Sequence, residues 1–126
     1  MILWTHFFGG VIPSKKNDRR QITLKTGRRI NIPSARYVKW HKMVLPELLA
    51  KRPDKPMEQV AINLEFVYPD KRRRDTDNGE SSVMDTLIDA QIIKDDCWTI
   101  VPDKHVHGRL VREGEEPGCH IYISNA

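Results

Sequence analysis

Two close pairs of aspartates carry the chemistry that this sequence most clearly suggests. Asp75 and Asp77 stand directly after the basic run 71–74, and Asp95 and Asp96 follow further along the chain. Carboxylate clusters attract hard divalent cations such as Mg²⁺, which prefers oxygen ligands and keeps several of its waters. Clustered arginines attract phosphates, because each guanidinium offers several N–H donors in a planar fork. The two groups side by side indicate a metal-dependent enzyme that cuts a nucleic-acid backbone.

The charges of the chain are segregated, although the formal net charge is only +4. Residues 14–29 contain seven basic residues and one aspartate, whereas residues 75–96 contain seven acidic residues and one lysine. A basic surface beside an acidic site is typical of a protein that holds a polyanion by its phosphates and cuts it at a metal. The alternative is a solvated run of charge without a partner. The predicted DNA contacts are Lys15, Lys16, Arg19, Arg20, Arg72, Arg73, Arg74 and Lys94.

The size and composition of the chain suit a single small domain that spans residues 1–126. The two cysteines, Cys97 and Cys119, have no zinc-like spacing, so we expect free thiols in a reducing cytoplasm. The N-terminal stretch 1–10 is too short and lacks the basic start of a signal peptide. No apolar run approaches the length of a membrane span, so no membrane partner is expected.

A strand and a helix must position the acidic residues. Residues 60–68 alternate between apolar and other residues, which predicts a strand that ends at Pro69. Asp75 and Asp77 are therefore expected on a loop just beyond a core strand. A helix is predicted over residues 80–91, with Asn78 as its cap. Its apolar stripe consists of Val83, Met84, Leu87, Ile88 and Ile92.

The rest of the chain contributes short strands and one further helix. Strands are predicted over residues 2–8, 98–101, 105–111 and 120–124, and a hairpin joins 21–24 to 29–32 with its turn near Gly27. Ser34 can cap a helix that includes Trp40 and Leu48. Pro46 lies inside this helix and is expected to kink or interrupt it.

A shared metal site requires the chain to double back after the second helix. A helix of about 12 residues is about 18 Å long, and Asp77 precedes it whereas Asp96 follows it. The five steps from Gln91 to Asp96 can span about 17 Å if they are extended. The two aspartate pairs can therefore meet only if residues 92–96 run back along the helix. Otherwise the pairs never meet.

At these residues the sequence resembles the RusA-type Holliday-junction resolvases. The resemblance rests on the basic run followed by D-T-D-N, the later D-T-L-I-D-A and the final K-D-D, and it extends over most of the chain. It implies an α+β fold with a small mixed sheet and two main helices, working as a homodimer. It also implies an endonuclease that resolves four-way DNA junctions with Mg²⁺ or Mn²⁺ and without a small-molecule cofactor. The carried-over catalytic residues are Asp75, Asp77 and Asp96, and Asp95 joins them as a metal ligand.

One position departs from the family pattern. The family has a lysine four residues after the second motif aspartate, and this chain has Ser81 there. A lysine in such a site stabilises negative charge that develops on the phosphate, which a serine cannot do. Lys94 or one of Arg72–Arg74 is a candidate substitute. Two functions therefore stay open: an endonuclease that makes paired nicks with 5′-phosphate and 3′-hydroxyl ends, and a DNA-junction-binding protein with a degenerate active site.

Overall fold

The computed structural model describes residues 1–15, 20–32 and 34–126. These residues form six strands and two helices. In chain order the elements are β1 (Ile2–Gly9), β2 (Arg20–Thr23), β3 (Arg29–Ile32), α1 (Ala35–Ala50), β4 (Val60–Tyr68), α2 (Thr76–Asp89), β5 (Asp103–Leu110) and β6 (Gly118–Asn125).

The main sheet has four strands in the order β1-β6-β4-β5. Strand β4 pairs in parallel with β5 and antiparallel with β6, and β6 pairs antiparallel with β1. The sheet is therefore mixed, and the predicted α+β class is confirmed. Strands β2 and β3 form the predicted hairpin as a separate two-stranded sheet, and Gly27 takes the positive φ of 85° that its turn requires.

The unit β4–α2–β5 supports the site. Parallel strands need a long crossover connection, and α2 provides it. Strand β4 matches the predicted boundaries, and its alternate residues Ile62, Leu64 and Phe66 are buried. They share one core cluster with residues of both helices and of β6, which are Tyr37, Trp40, Val44, Leu48, Val83, Met84, Leu87, Ile121 and Ile123. Hydrophobic burial therefore fixes α2 to one face of the sheet.

Helix α1 begins at the predicted cap but does not end at its internal proline. The predicted cap is confirmed, because Oγ of Ser34 accepts a hydrogen bond from the backbone N of Tyr37 at 3.1 Å. The helix runs through Pro46 to Ala50, so the predicted interruption is wrong, whereas the predicted kink stays a prediction. Val44 and Leu48 lie on either side of Pro46 and are both buried. Their packing outweighs the one backbone hydrogen bond that the proline removes.

Helix α2 begins earlier than predicted. It starts at Thr76 with Asp75 as N-cap residue, so Asp77 lies in the first helical turn and not on a loop. The predicted cap, Asn78, is inside the helix, and its backbone N donates to the carbonyl of Asp75 at 3.2 Å. An acidic residue in the first turn is favoured by the positive end of the helix dipole. The apolar periodicity did not predict this first turn of the helix, because the turn contains no large apolar residue.

The segment before β5 is also not the strand that was predicted. Residues 98–100 form a turn in which the backbone N atoms of Ile100 and Val101 both donate to the carbonyl of Cys97, at 3.0 and 2.9 Å. The turn buries Ile100 and Val101 and leaves Trp98 exposed. Burial of those two apolar side chains explains why the chain folds here and is not extended.

Two further predictions concern cysteines and membranes. Cys97 and Cys119 are both free, as expected, and burial raises the pKa of the Cys119 thiol to about 12. No helix in the described part of the chain is long and apolar enough to cross a membrane.

Candidate active site

The basic run between β4 and α2 is ordered by Asp70. Oδ1 of Asp70 accepts hydrogen bonds from Nη1 of Arg74 at 2.7 Å and from the backbone N of Arg72 at 3.0 Å. The bond from Arg74, and then the bond from Arg72, lower the pKa of the Asp70 carboxyl. The Arg74 guanidinium also lies over the Tyr68 ring, 5.4 Å from its centroid. The chain therefore leaves β4 in a defined path that leads to Asp75.

The chain reverses direction at the C-terminus of α2. Gln91 has a positive φ of 62°, its backbone N donates to the carbonyl of Ile88 at 2.9 Å, and the backbone N of Ile92 donates to the carbonyl of Leu87 at 3.0 Å. This pair of bonds is a Schellman motif, and the buried Ile92 and Leu87 supply its hydrophobic contact. Because the helix ends in this way, residues 92–96 can run back towards its N-terminus.

The returning segment is held by the residues before β4. The backbone N of Met57 donates to the carbonyl of Ile92 at 2.9 Å, and the backbone N of Lys94 donates to the carbonyl of Met57 at 3.1 Å. Ile93 is buried beside Ile92. Asp95 and Asp96 therefore follow a segment whose backbone and side chains are both fixed.

The return brings Asp96 to the same cavity as Asp77. This cavity has a volume of about 220 Å³ and is lined by Asp77, Glu80, Ser81, Met84, Asp96 and Lys104; we call it the acidic cavity. Asp77 and Asp96 are the two residues whose meeting depended on the chain doubling back. The structure places one from each predicted pair at one cavity.

The other two predicted aspartates do not line the acidic cavity, and their predicted metal-binding role stays a prediction. Asp75 lines a second cavity of about 320 Å³, whose lining also includes Phe66, Tyr68, Arg73, Arg74 and Asn78; we call it the aromatic cavity. Asp95 is exposed and is not among the residues that line either cavity. Its Oδ1 accepts a hydrogen bond from the backbone N of Asp96 at 2.7 Å, so it supports the turn that carries Asp96.

The acidic cavity contains the kind of donors that a hard cation prefers. Within residues 1–15, 20–32 and 34–126, no three His, Cys, Asp or Glu side chains are grouped so that they could hold a metal ion. Mg²⁺, however, is commonly held by one or two carboxylates together with waters and substrate phosphates. Asp77 and Asp96, with Glu80 beside them, fit that requirement as a partial set that the substrate completes.

The acidic cavity also contains a basic residue that the sequence did not single out. Nζ of Lys104, on β5, forms an ion pair with Oε1 of Glu80 at 2.5 Å. Ser81, at the position of the family lysine, lines the same cavity. The alternation along β5 was the signal that could have found Lys104, because Lys104 and Val106 share a face and Val106 packs against the core.

The predicted DNA-binding residues are in several different settings. Nζ of Lys15 pairs with Oδ2 of Asp85 at 3.0 Å, and this hydrogen bond raises the pKa of the Lys15 ammonium. Nζ of Lys94 pairs with Oε1 of Glu58 at 3.1 Å. Arg72 and Arg73 are exposed, and the side chain of Arg74 is held by Asp70. Arg20 begins β2, whereas Lys16 and Arg19 lie outside the described residues.

Ser82 is a structural residue that the sequence analysis overlooked. It is fully buried, and its Oγ donates to the carbonyl of Pro13 at 2.7 Å and accepts from the backbone N of Lys15 at 3.1 Å. These bonds attach Pro13 and Lys15, at the start of the basic segment 14–29, to α2 on the side of the helix next to the aromatic cavity. The signal was weak, since a single serine within an apolar stripe is ordinarily read as a tolerated polar residue.

Comparison with known families gives one match. The family model described as Endodeoxyribonuclease RusA matches residues 12–124. The matched range contains both cavities except for Val11, and it contains all the aspartates discussed above. No curated protein matches the chain.

Proposed function

The chain belongs to the RusA endodeoxyribonuclease family, and from this premise we propose that it resolves four-way DNA junctions by metal-dependent hydrolysis at the acidic cavity. The observation that carries the proposal is the shared cavity of Asp77 and Asp96. Asp77 lies in the first turn of α2 and Asp96 follows its C-terminus, so only a specific chain reversal brings them together. A fold that merely exposed its acidic residues to solvent would have no need of that reversal.

Residues of the acidic cavity and of the basic run would bind the metal ion and orient the DNA strand. Asp77 and Asp96 would hold Mg²⁺ or Mn²⁺, with Glu80 as an adjacent oxygen donor. When bound, such an ion polarises a phosphate oxygen and favours deprotonation of water, which is the chemistry that phosphodiester hydrolysis requires. Arg72 and Arg73, which are exposed beside the start of α2, would hold neighbouring phosphates and fix the register of the strand.

The products and the assembly are part of the same proposal. Hydrolysis would leave 5′-phosphate and 3′-hydroxyl ends. A homodimer with two-fold symmetry would present two acidic cavities in equivalent positions, and a four-way junction offers matching symmetry. Paired nicks on opposed strands then follow from symmetry alone. The protein would act where DNA is processed, in the cytoplasm, without a small-molecule cofactor.

A binding-only function is the second candidate. Two observations favour it: Ser81 replaces the family lysine, and no three His, Cys, Asp or Glu side chains in the described part of the chain are grouped so that they could hold a metal ion. In that case the protein would hold the junction through its basic residues, and the acidic cavity would be degenerate. The two candidates differ in cleavage and not in binding.

The deciding experiment compares Asp77→Asn with the unmodified protein on a synthetic four-way junction with Mg²⁺. We expect symmetric nicks whose ends can be religated, and a loss of at least about 100-fold in the single-turnover rate for the variant, with junction binding retained. Asp54→Asn is the matched control, because Asp54 is an exposed carboxylate in the loop before β4. Binding without cleavage by the unmodified protein, over a wide concentration range, would leave the binding-only function.

A further inference from the structure

We propose that Lys104 binds the scissile phosphate in the acidic cavity and supplies there the positive charge that Ser81 lacks. The inference rests on the proposed function, because its ligand is the DNA phosphodiester that the enzyme would cut. Of the described residues that line the acidic cavity, Lys104 alone is basic. It comes from β5, whereas the position expected to carry the charge lies on α2.

The strand β5 gives Lys104 a fixed starting point. Lys104 lies opposite Ile62 in the parallel ladder with β4, and Ile62 is buried in the core. Val106, two residues further along, packs against the same core, so this face of β5 is turned towards α2. The alternate residues of β5, such as His107, lie on the opposite face, where Nε2 of His107 contacts Oε2 of Glu65 at 2.9 Å. The direction of Lys104 is therefore set by the sheet and not by a mobile loop.

The contact with Glu80 keeps the ammonium in the cavity and still leaves it available. Nζ of Lys104 is 2.5 Å from Oε1 of Glu80, and the two side chains are 36% and 19% exposed. Because Lys104 is 36% exposed, a phosphate that enters the cavity can reach its ammonium group, and Lys104 can then exchange its carboxylate partner for the phosphate. The three carboxylates of the cavity would repel a phosphate that approached alone. A cation already present among them offsets that repulsion.

The other basic residues considered for this role are placed elsewhere. Lys94 pairs with Glu58, and Arg74 is held by Asp70. Arg73 and Arg74 line the aromatic cavity and not the acidic one. Ser81 does line the acidic cavity, so a lysine introduced at position 81 would reach the same space from α2. The charge can therefore be moved from β5 to α2 as a test.

The first measurement is the single-turnover cleavage rate of a four-way junction with Mg²⁺. Lys104→Ala should lower the rate by about 100-fold, which is typical when one group that stabilises developing negative charge is removed. Lys104→Ala combined with Ser81→Lys should recover at least about tenfold of that loss. The matched control is Lys55→Ala, which removes the same charge from an exposed position in the loop before β4 and should leave the rate unchanged.

The second measurement needs neither metal nor cleavage. Junction affinity is determined in EDTA at several salt concentrations for the unmodified protein, Lys104→Ala and Lys55→Ala. Each phosphate contact contributes about one to the slope of log affinity against log salt, so Lys104→Ala should reduce that slope by about one and Lys55→Ala should not. Thermal unfolding of each variant checks that the fold is retained.

A third variant separates phosphate binding from a purely structural role. If Lys104 only neutralised Glu80, then Glu80→Gln combined with Lys104→Ala would restore the salt slope measured in EDTA, where Glu80 has no metal ion to hold, and that result would overturn the proposal. Unchanged rate and slope in Lys104→Ala would overturn it as well, while cleavage by the unmodified protein left the proposed function intact. If the unmodified protein does not bind junctions at all, the proposed function fails and this inference fails with it.

Discussion

Charged contacts outside the acidic cavity should make the stability of the fold depend on pH. The clearest is between Arg109 and Glu115, on the face of the sheet opposite the helices. Nη1 and Nη2 of Arg109 donate to the two carboxylate oxygens of Glu115 at 2.7 and 2.5 Å, and the backbone N of Arg112 adds a bond at 3.0 Å. The bonds from Arg109, and then from Arg112, lower the pKa of Glu115 from 4.5 to about 2.

Glu115→Gln should therefore lower the thermal unfolding temperature at neutral pH. A carboxyl whose folded pKa is depressed contributes stability above its unfolded pKa, and that contribution is lost as the pH falls through the folded value. The difference between the unmodified protein and the variant should accordingly close between about pH 4.5 and pH 2. Circular dichroism melts across this range measure it, with Glu113→Gln in the same turn as the control. A difference that stays constant with pH would contradict the assignment.

At the scale of elements, the end of α2 decides whether the acidic cavity exists. The Schellman motif at residues 87–92 turns the chain back, and Gln91 occupies its left-handed position. Most such positions are occupied by glycine, because a side chain there clashes with the backbone. The side chain of Gln91 is exposed, and within the described residues its Oε1 accepts one long hydrogen bond, from Nη1 of Arg52 at 3.4 Å. The acidic cavity therefore requires the left-handed backbone conformation of Gln91 and not its side chain.

Gln91→Gly should therefore stabilise the protein by about 1 kcal/mol, because it removes the left-handed strain without removing a useful contact. Gln91→Val should do the opposite, since a β-branched residue tolerates this conformation poorly. Urea unfolding measures both, and Gln21→Gly in strand β2 is a control that should destabilise. A stability loss for Gln91→Gly would mean that the reversal at α2 does not depend on this residue's conformation.

The sequence predicted well the elements whose patterns depend on burial. It predicted less well the features that single backbone contacts determine, such as the start of a helix. Strand β4 was predicted to the residue, because its alternate side chains pack in the core. The start of α2 was placed too late, because its first turn is held by the carbonyl of Asp75 and has no apolar face. The meeting of Asp77 with Asp96 could be judged feasible from chain length alone. Lys104 was missed because it is brought to the site only by the pairing of β5 with β4.

At the scale of the whole molecule, the two cavities lie on either side of the start of α2. Asp75, Asn78 and the arginines line the aromatic cavity, whereas Asp77, Glu80 and Ser81 line the acidic one. The basic segment begins at Lys15, which is attached to α2 through Ser82 and Asp85. Positive charge is thus placed beside the acidic cavity and not within it, Lys104 excepted. Under the proposed function, a DNA strand would be held at several phosphates while one phosphate enters the cavity.

The proposed function requires Asp77 and Asp96 to hold one ion between them, and electron paramagnetic resonance can measure the binding of Mn²⁺ to such a site. The unmodified protein should bind Mn²⁺ at a site that both Asp77→Asn and Asp96→Asn weaken by at least about tenfold, because each variant removes a carboxylate ligand. Asp54→Asn should leave the affinity unchanged. If either cavity variant bound Mn²⁺ as tightly as the unmodified protein, the two carboxylates would not share an ion, and hydrolysis by an ion held between them would be excluded.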